Sequence, residues 1–304
     1  MNDLVTDVKS LEIETLKNLK SSKANNTLRA YKADFRDFAI FCQNNGFASM
    51  PTEPKILTLY LTHLSKTSKY STLKRRLASI SVIHKLNGHY LDTKHPVITE
   101  NLLGIKRVKG TYQKAKKPIL INDLKLIINA INQDNNQKNR VKNKALLLIG
   151  FAGGFRRSEL VSTLLEDIEF VAEGVKIFVK RSKTDQSGEG MTKGIPYFMS
   201  PNYCPVVSLK NWIKESKIKS GKIFDMSDRN VALIIKKYAG IAGLDQNKYS
   251  GHSLRSGFAT STAETGAEER SIMAMTGHKT TQMVRRYIKE ANLFKNNALN
   301  KLKI

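Results

Sequence analysis

The chain has 304 residues, 40% of them hydrophobic, with 51 Lys and Arg against 26 Asp and Glu and a formal net charge of +25. That apolar content can bury cores in about two domains of ordinary size, which excludes a wholly disordered chain. Two cysteines make no disulfide framework, the N-terminal MNDLVTDVKSLEIETL lacks an apolar signal core, and no run approaches the ~20 apolar residues of a membrane span; secreted, disulfide-rich and membrane-embedded classes fall away, and a reducing, cytoplasmic compartment is expected.

A surplus of +25 is a statement about partners, because phosphate backbones attract such a surface and released counterions drive the binding. Residues 1–26 read as a flexible segment. Leu28, Tyr31, Phe35, Phe38 and Cys42 then recur at helical spacing, and Asn45-Gly46 ends that helix. A second helix starts near Pro54 with Ile56, Leu57, Tyr60, Leu61 and Leu64 on one side. Ser71 or Thr72 would cap a third, which turns Leu73, Leu77, Ile80 and Ile83 inward and Lys74, Arg75 and Arg76 outward. A fourth covers Ile98 to Lys106, so residues 27–105 read as a small helical domain. Residues 106–118 read as a linker: six basic residues (Lys106, Arg107, Lys109, Lys114, Lys116 and Lys117), no acid, a Gly and a terminating Pro. Between two basic domains, such a run suits a phosphate backbone.

The second domain opens with helices over about 121–132 and 138–152. Three short strands follow at 168–171, 175–179 and 194–198. From Pro205 the pattern is helical again, over about 205–216, 228–242, 252–265, 267–276 and 281–290, with a short apolar-faced tail from Leu293 to Leu302.

Five segments of this domain carry groups suited to phosphoryl transfer. In Gly154-Phe155-Arg156-Arg157-Ser158-Glu159-Leu160, Arg156 follows a buried helix and a Gly-Gly turn, and Glu159 is close enough to orient it. Lys180-Arg181-Ser182-Lys183-Thr184-Asp185 leaves a strand for a turn; Lys180 and Lys193 flank the same hairpin as Lys183. His252 and Arg255, three apart, share a helix face. Gly277-His278 and Tyr287 complete the set; they converge only if the helix between them breaks, since nine steps of ~100° put them on opposite sides. Gly277 supplies the stop and Thr280 or Thr281 a fresh cap. Taken alone, Tyr287 is an ordinary core aromatic. Together, two arginines, two histidines, a lysine and a tyrosine with no carboxylate cluster make a coherent site without a metal. Tyrosine is a feasible nucleophile, cations and a His help it shed its proton, Arg forks match phosphate oxygens, and a Lys can protonate a departing hydroxyl.

Residues 154–160 (GFRRSEL), 250–257 (SGHSLRSG) and 277–287 (GHKTTQMVRRY) resemble, in order and approximate spacing, the boxes of the tyrosine site-specific recombinases, or phage integrase family, of the simple Cre/Xer-like type. The resemblance covers about 27–304 and implies a mainly α chain. Its N-terminal part is a helical, SAM-like core-binding domain; residues 119–304 form an α+β catalytic domain with a small β-sheet and a C-terminal helix exchanged between protomers. Carried over, the first arginine falls on Arg156, its acidic helper on Glu159, the hairpin lysine on Lys183, the His-x-x-Arg box on His252 and Arg255, the late His on His278 and the nucleophile on Tyr287. Arg157, beside Arg156, leaves a one-residue ambiguity.

The implied reaction is cutting and rejoining of duplex DNA through a 3′-phosphotyrosine, without cofactor, metal or ATP. The implied assembly is a homotetramer holding two inverted-repeat sites in the nucleoid. The rivals are a type IB topoisomerase-like relaxer, a catalytically idle DNA-binding protein of the same fold, and a basic RNA-binding module.

Overall fold

In the computed structural model, residues 7–21, 24–112, 115–180, 189–291 and 298–302 are described. The chain divides into two compact units, Met1–Lys114 and Ala115–Ile304.

The first unit is helical: α1 (Val8–Ser21), α2 (Asn25–Asn44), α3 (Pro54–Ser65), α4 (Tyr70–Leu86) and α5 (Pro96–Lys109). Its core is Phe38, Cys42, Leu57, Tyr60, Leu61, Leu73, Ile80, Leu91, Ile98 and Leu102, drawn from the apolar stripes of α2 to α5 and the loop before α5. His84 belongs to this interior as a neutral ring, since Nε2 accepts from the Thr52 amide at 3.2 Å while Nδ1 donates to the Ile80 carbonyl at 2.9 Å. Three boundaries differ from expectation. Val8–Ser21 is a helix where a flexible segment is expected; its Leu, Glu and Lys residues favour helix locally, and Val8, Leu11 and Ile13 are exposed. The α4 helix starts at Tyr70, and its N-cap Lys69 contributes no side-chain bond. The α5 helix begins at Pro96 under a ring nitrogen of His95 and runs to Lys109, so the first residues of the expected linker are helical.

The second unit contains α6 (Ile121–Asn132), α7 (Gln137–Ala152), α8 (Arg157–Ser162), the strands β1 (Ile168–Val171), β2 (Gly174–Val179) and β3 (Met191–Pro196), then α9 (Pro205–Ser216), α10 (Asp228–Ile241), α11 (Ser253–Glu264), α12 (Glu269–Thr276) and α13 (Thr281–Ala291). Every residue from Ala145 to Ala152 is buried, so α7 is the central helix, packed against α6, α9 and α11. The sheet is an antiparallel meander in the order β1-β2-β3. Its last strand runs over 191–196 rather than 194–198, with Val175 opposite Ile195, Ile177 opposite Lys193 and Val179 opposite Met191. A lysine therefore occupies an inward position, which breaks the apolar alternation that marks a strand. In the expected tail helix, 293–297 lies outside the described residues, and Ala298–Lys301 forms one 3₁₀ turn with Leu299 and Leu302 exposed.

Candidate active site

The site is built where α7 ends. The chain leaves that buried helix through Gly153 and Gly154, and Arg156 becomes the N-cap of α8. Glu159, 2% exposed, accepts the Arg156 amide at 2.9 Å through Oε2 and the guanidinium Nη1 at 2.5 Å through Oε1. One carboxylate thus satisfies the helix end and fixes the direction of a half-buried arginine. Arg157 points elsewhere: its stem covers Gly251, and Nη2 lies 3.7 Å from Asp228.

Arg255 enters from the first turn of α11 and is 1% exposed. Its Nη1 donates to the Gly154 carbonyl at 2.9 Å, whereas the buried Nε and Nη2 have no hydrogen-bond partner among the described residues. Burial, and then Arg156, push this guanidinium down to about 10, against the opposing pull of Glu159 and Tyr287. Buried, unsatisfied N–H donors on a cation are costly, and an anion with several acceptor oxygens matches them. His252 precedes α11 at an accessible position, and partial desolvation, then Arg255, Arg156 and Arg157, hold its imidazole below the usual histidine range.

The break expected between His278 and Tyr287 is present. Gly277 closes α12 in the left-handed region at φ 63°, a conformation in which L side chains are strained, and α13 begins at Thr281. The turn brings the rings of His278 and Tyr287 to 6.0 Å between centroids. His278 Nδ1 lies 2.7 Å from the Thr276 hydroxyl. Desolvation, followed by Arg255, Arg156, His252 and Lys193, lowers His278 to about 4, which makes it a neutral base at pH 7. Tyr287 is half-buried beside Ala259, Ala263, Ile272 and Val284.

Lys183 and Lys114 lie outside the described residues. Lys180 leans on Asp167 at 2.8 Å. Lys193, by sequence a flank of the hairpin and not a site residue, is fully buried among the residues above. Its inward register on β3 is set by pairing with β2, a long-range property that strand periodicity could have revealed only by treating lysine as apolar.

The candidate DNA contacts divide. Asp34, 3% exposed, holds Arg75 and Arg76 and accepts the Ser79 hydroxyl at 2.6 Å. Arg76 also lies 3.3 Å from Asp37, so it is a structural cation of the helical unit, while Arg75 keeps half of its side chain in solvent. Lys74 and Lys109 line one cleft of about 580 Å³ together with Lys69. Lys106 and Arg107 are exposed on the last turn of α5. Lys116 donates to the Asn247 carbonyl at 2.5 Å, and Lys117 sits 2.9 Å from Asp123 and 5.7 Å above the Tyr249 ring, which ties this part of the segment to the second unit. Among the described residues no group of three or more His, Cys, Asp or Glu could hold a metal ion, and no helix is long and apolar enough to cross a membrane.

Arg156, Arg255, His252, His278 and Tyr287 thus share one electrostatic neighbourhood, in which Arg156 lowers Arg255 and both arginines lower His252 and His278. Comparison with known proteins gives the family. The phage integrase family pattern matches residues 119–293. An integrase/recombinase xerD homolog of Selenomonas ruminantium is 39% identical over 316 residues, covering 99% of this chain and 92% of that protein. XerH site-specific recombinase in a post-cleavage complex with palindromic difH shares the fold at TM-score 0.64 and 16% identity, covering 86% of this chain and 77% of that one. A lambda integrase tetramer bound to a Holliday junction does so at TM-score 0.57 and 16% identity, covering 99% and 81%. The chain therefore belongs to the phage integrase family, as a Xer-like tyrosine recombinase, an enzyme of site-specific recombination.

Proposed function

We propose that the protein cuts and rejoins duplex DNA at inverted-repeat sites through a 3′-phosphotyrosine on Tyr287. The observation that carries this reading is the buried Arg255, with two N–H groups left without acceptors beside Arg156, His278 and Tyr287. A phosphodiester offers two non-bridging oxygens, and two guanidiniums satisfy them while stabilising the charge that gathers in the transition state. The Tyr287 oxygen attacks phosphorus and the bond to the 5′ oxygen breaks. The phenolic proton passes to an imidazole held neutral, His252 or His278, and Lys183 protonates the departing 5′ oxygen. A 5′ hydroxyl of the partner duplex then reverses these steps. Each step exchanges one ester for another, so ATP is not required, and the cationic side chains supply the charge that a metal would otherwise bring.

In this reading four protomers hold two DNA sites, each lending its C-terminal segment to a neighbour. An apolar groove of about 730 Å³ on the second unit, lined by Leu124, Leu148, Phe151, Pro196, Phe198 and Tyr203, supports it as an acceptor. Leu299 and Leu302, exposed on the tail, supply matching apolar side chains.

The test is a nicked suicide duplex carrying an inverted repeat sought in the DNA beside the coding sequence. Wild type should accumulate a covalent adduct, and Tyr287→Phe should bind the same duplex without forming one. An adduct on the Phe variant would reject the nucleophile, and relaxation of plasmids lacking any repeat would favour a topoisomerase.

A further inference from the structure

Among the described residues, Lys193 is the one lysine of the second unit with no exposure at all. It stands on β3 opposite Ile177, among side chains that fill the core. Among the described residues no carboxylate pairs with it directly. Its Nζ donates instead to the Gly153 carbonyl at 2.8 Å and to the Met275 carbonyl, and lies 4.8 Å from the centroid of the Phe155 ring. Two carbonyls and an aromatic face account for the three donors of an ammonium.

The two carbonyls belong to the two segments that deliver the site. Gly153 begins the turn that ends in Arg156, and the next carbonyl, Gly154, is the one Arg255 holds at 2.9 Å. Met275 is in the last turn of α12, just before Gly277 and His278. These segments are 82 and 40 residues from Lys193 along the chain, and a single ammonium joins them. Burial, with Arg255 and Arg156 adding to it and Glu159 opposing, lowers this lysine to about 8. A core position that would accept leucine or methionine therefore carries a charge at a cost, which implies that the charge has a task.

We propose that Lys193 is a positioning residue that sets Arg156 and His278 at their working separation by clamping the Gly153 turn to the end of α12. It touches neither phosphate nor leaving group; it keeps the two segments in register while DNA binds. The inference rests on the phosphotyrosine reading, and wild type serves as the control for that reading.

Lys193→Met keeps the volume and removes the ammonium. Three quantities are measured on the suicide duplex: affinity, single-turnover adduct formation, and adduct formation on a duplex whose scissile 5′ oxygen is replaced by sulfur. The sulfur leaves without a proton, so it restores variants that lack the acid and does nothing for a misplaced site. The expected result is affinity within about twofold of wild type and adduct formation slower by about a hundredfold, with the defect retained on the sulfur substrate. Lys193→Arg, which keeps charge and donors, should recover part of the rate. Wild-type speed in Lys193→Met overturns the proposal, and so does restoration by sulfur, which would make Lys193 the acid. If Lys193→Met is unfolded at the assay temperature, Lys193→Gln, neutral but able to donate, is judged by the same outcomes. If wild type itself forms no Tyr287 adduct, the phosphotyrosine reading has failed rather than the positioning role.

Discussion

A buried guanidinium with two unmatched donor nitrogens is an unfavourable thing to fold, and under the proposed function Arg255 bears that cost before phosphate arrives. Each unsatisfied donor costs about 1–3 kcal/mol, and the single bond to the Gly154 carbonyl returns only part of that. Arg255→Met, of similar reach and without polar atoms, should therefore leave stability in urea unchanged or raise it by about 1 kcal/mol. The same variant should slow adduct formation by about 10²–10³-fold, since it removes donors aimed at the developing charge. A loss of more than about 2 kcal/mol in DNA-free protein would show instead that the guanidinium is part of the scaffold. At this scale the sequence was informative about identity and silent about company. Arg156, Glu159, His252, Arg255, His278 and Tyr287 are marked by short boxes whose order survives in one dimension. The partners of Arg76 are not, because Asp34 and Asp37 lie on another helix, and a basic run on a helix face reads the same whether it meets water, DNA or a buried carboxylate.

The elements that carry the boxes owe their positions to close approaches. The best example is the segment entering the second unit, where the Ile119 amide donates to the Ser253 carbonyl at 2.9 Å. That contact exists because Gly257, one turn along α11, has no side chain: a Cβ there would stand 2.0 Å from the Ile119 carbonyl oxygen. The obstacle is backbone, so it cannot swing aside as a side chain would. Gly257→Ala should cost about 3 kcal/mol or more in chemical denaturation and displace α11, which carries Arg255. An unaltered midpoint would show that 115–119 does not pack on this helix. The glycine is visible in the box SGHSLRSG, but its reason lies 138 residues upstream, since 257 − 119 = 138, and no local pattern reports it. The helices with strong apolar stripes, α2, α3, α6 and α10, were legible for the opposite reason: their cores are built from residues three and four apart, and only the ends moved. The sheet was read less well, because β3 contains an inward lysine and begins beside residues 181–188.

At the scale of the whole molecule, two quantities separate DNA binding from assembly. Binding to one site is governed by the +25 surplus and should weaken steeply with salt, as condensed counterions are released by each phosphate contact. In the proposed assembly, joining two sites depends in addition on an apolar contact, which salt screens little. Removing residues 292–304 deletes the tail bearing Leu299 and Leu302 and, with it, Lys295, Lys301 and Lys303, a small part of the 51 Lys and Arg. The shortened protein should hold a single inverted repeat with an affinity and salt slope close to those of wild type, since most of the basic residues remain, yet assemble two duplexes at least about tenfold less well, a loss of roughly 1.4 kcal/mol of coupling. Native gels with one labelled and one longer duplex measure both quantities in one lane series. Equal synapsis by the shortened and full chains would remove the tail from the assembly. A loss confined to single-site binding would assign the tail to DNA instead, with the groove beside Phe151 and Phe198 left to some other contact.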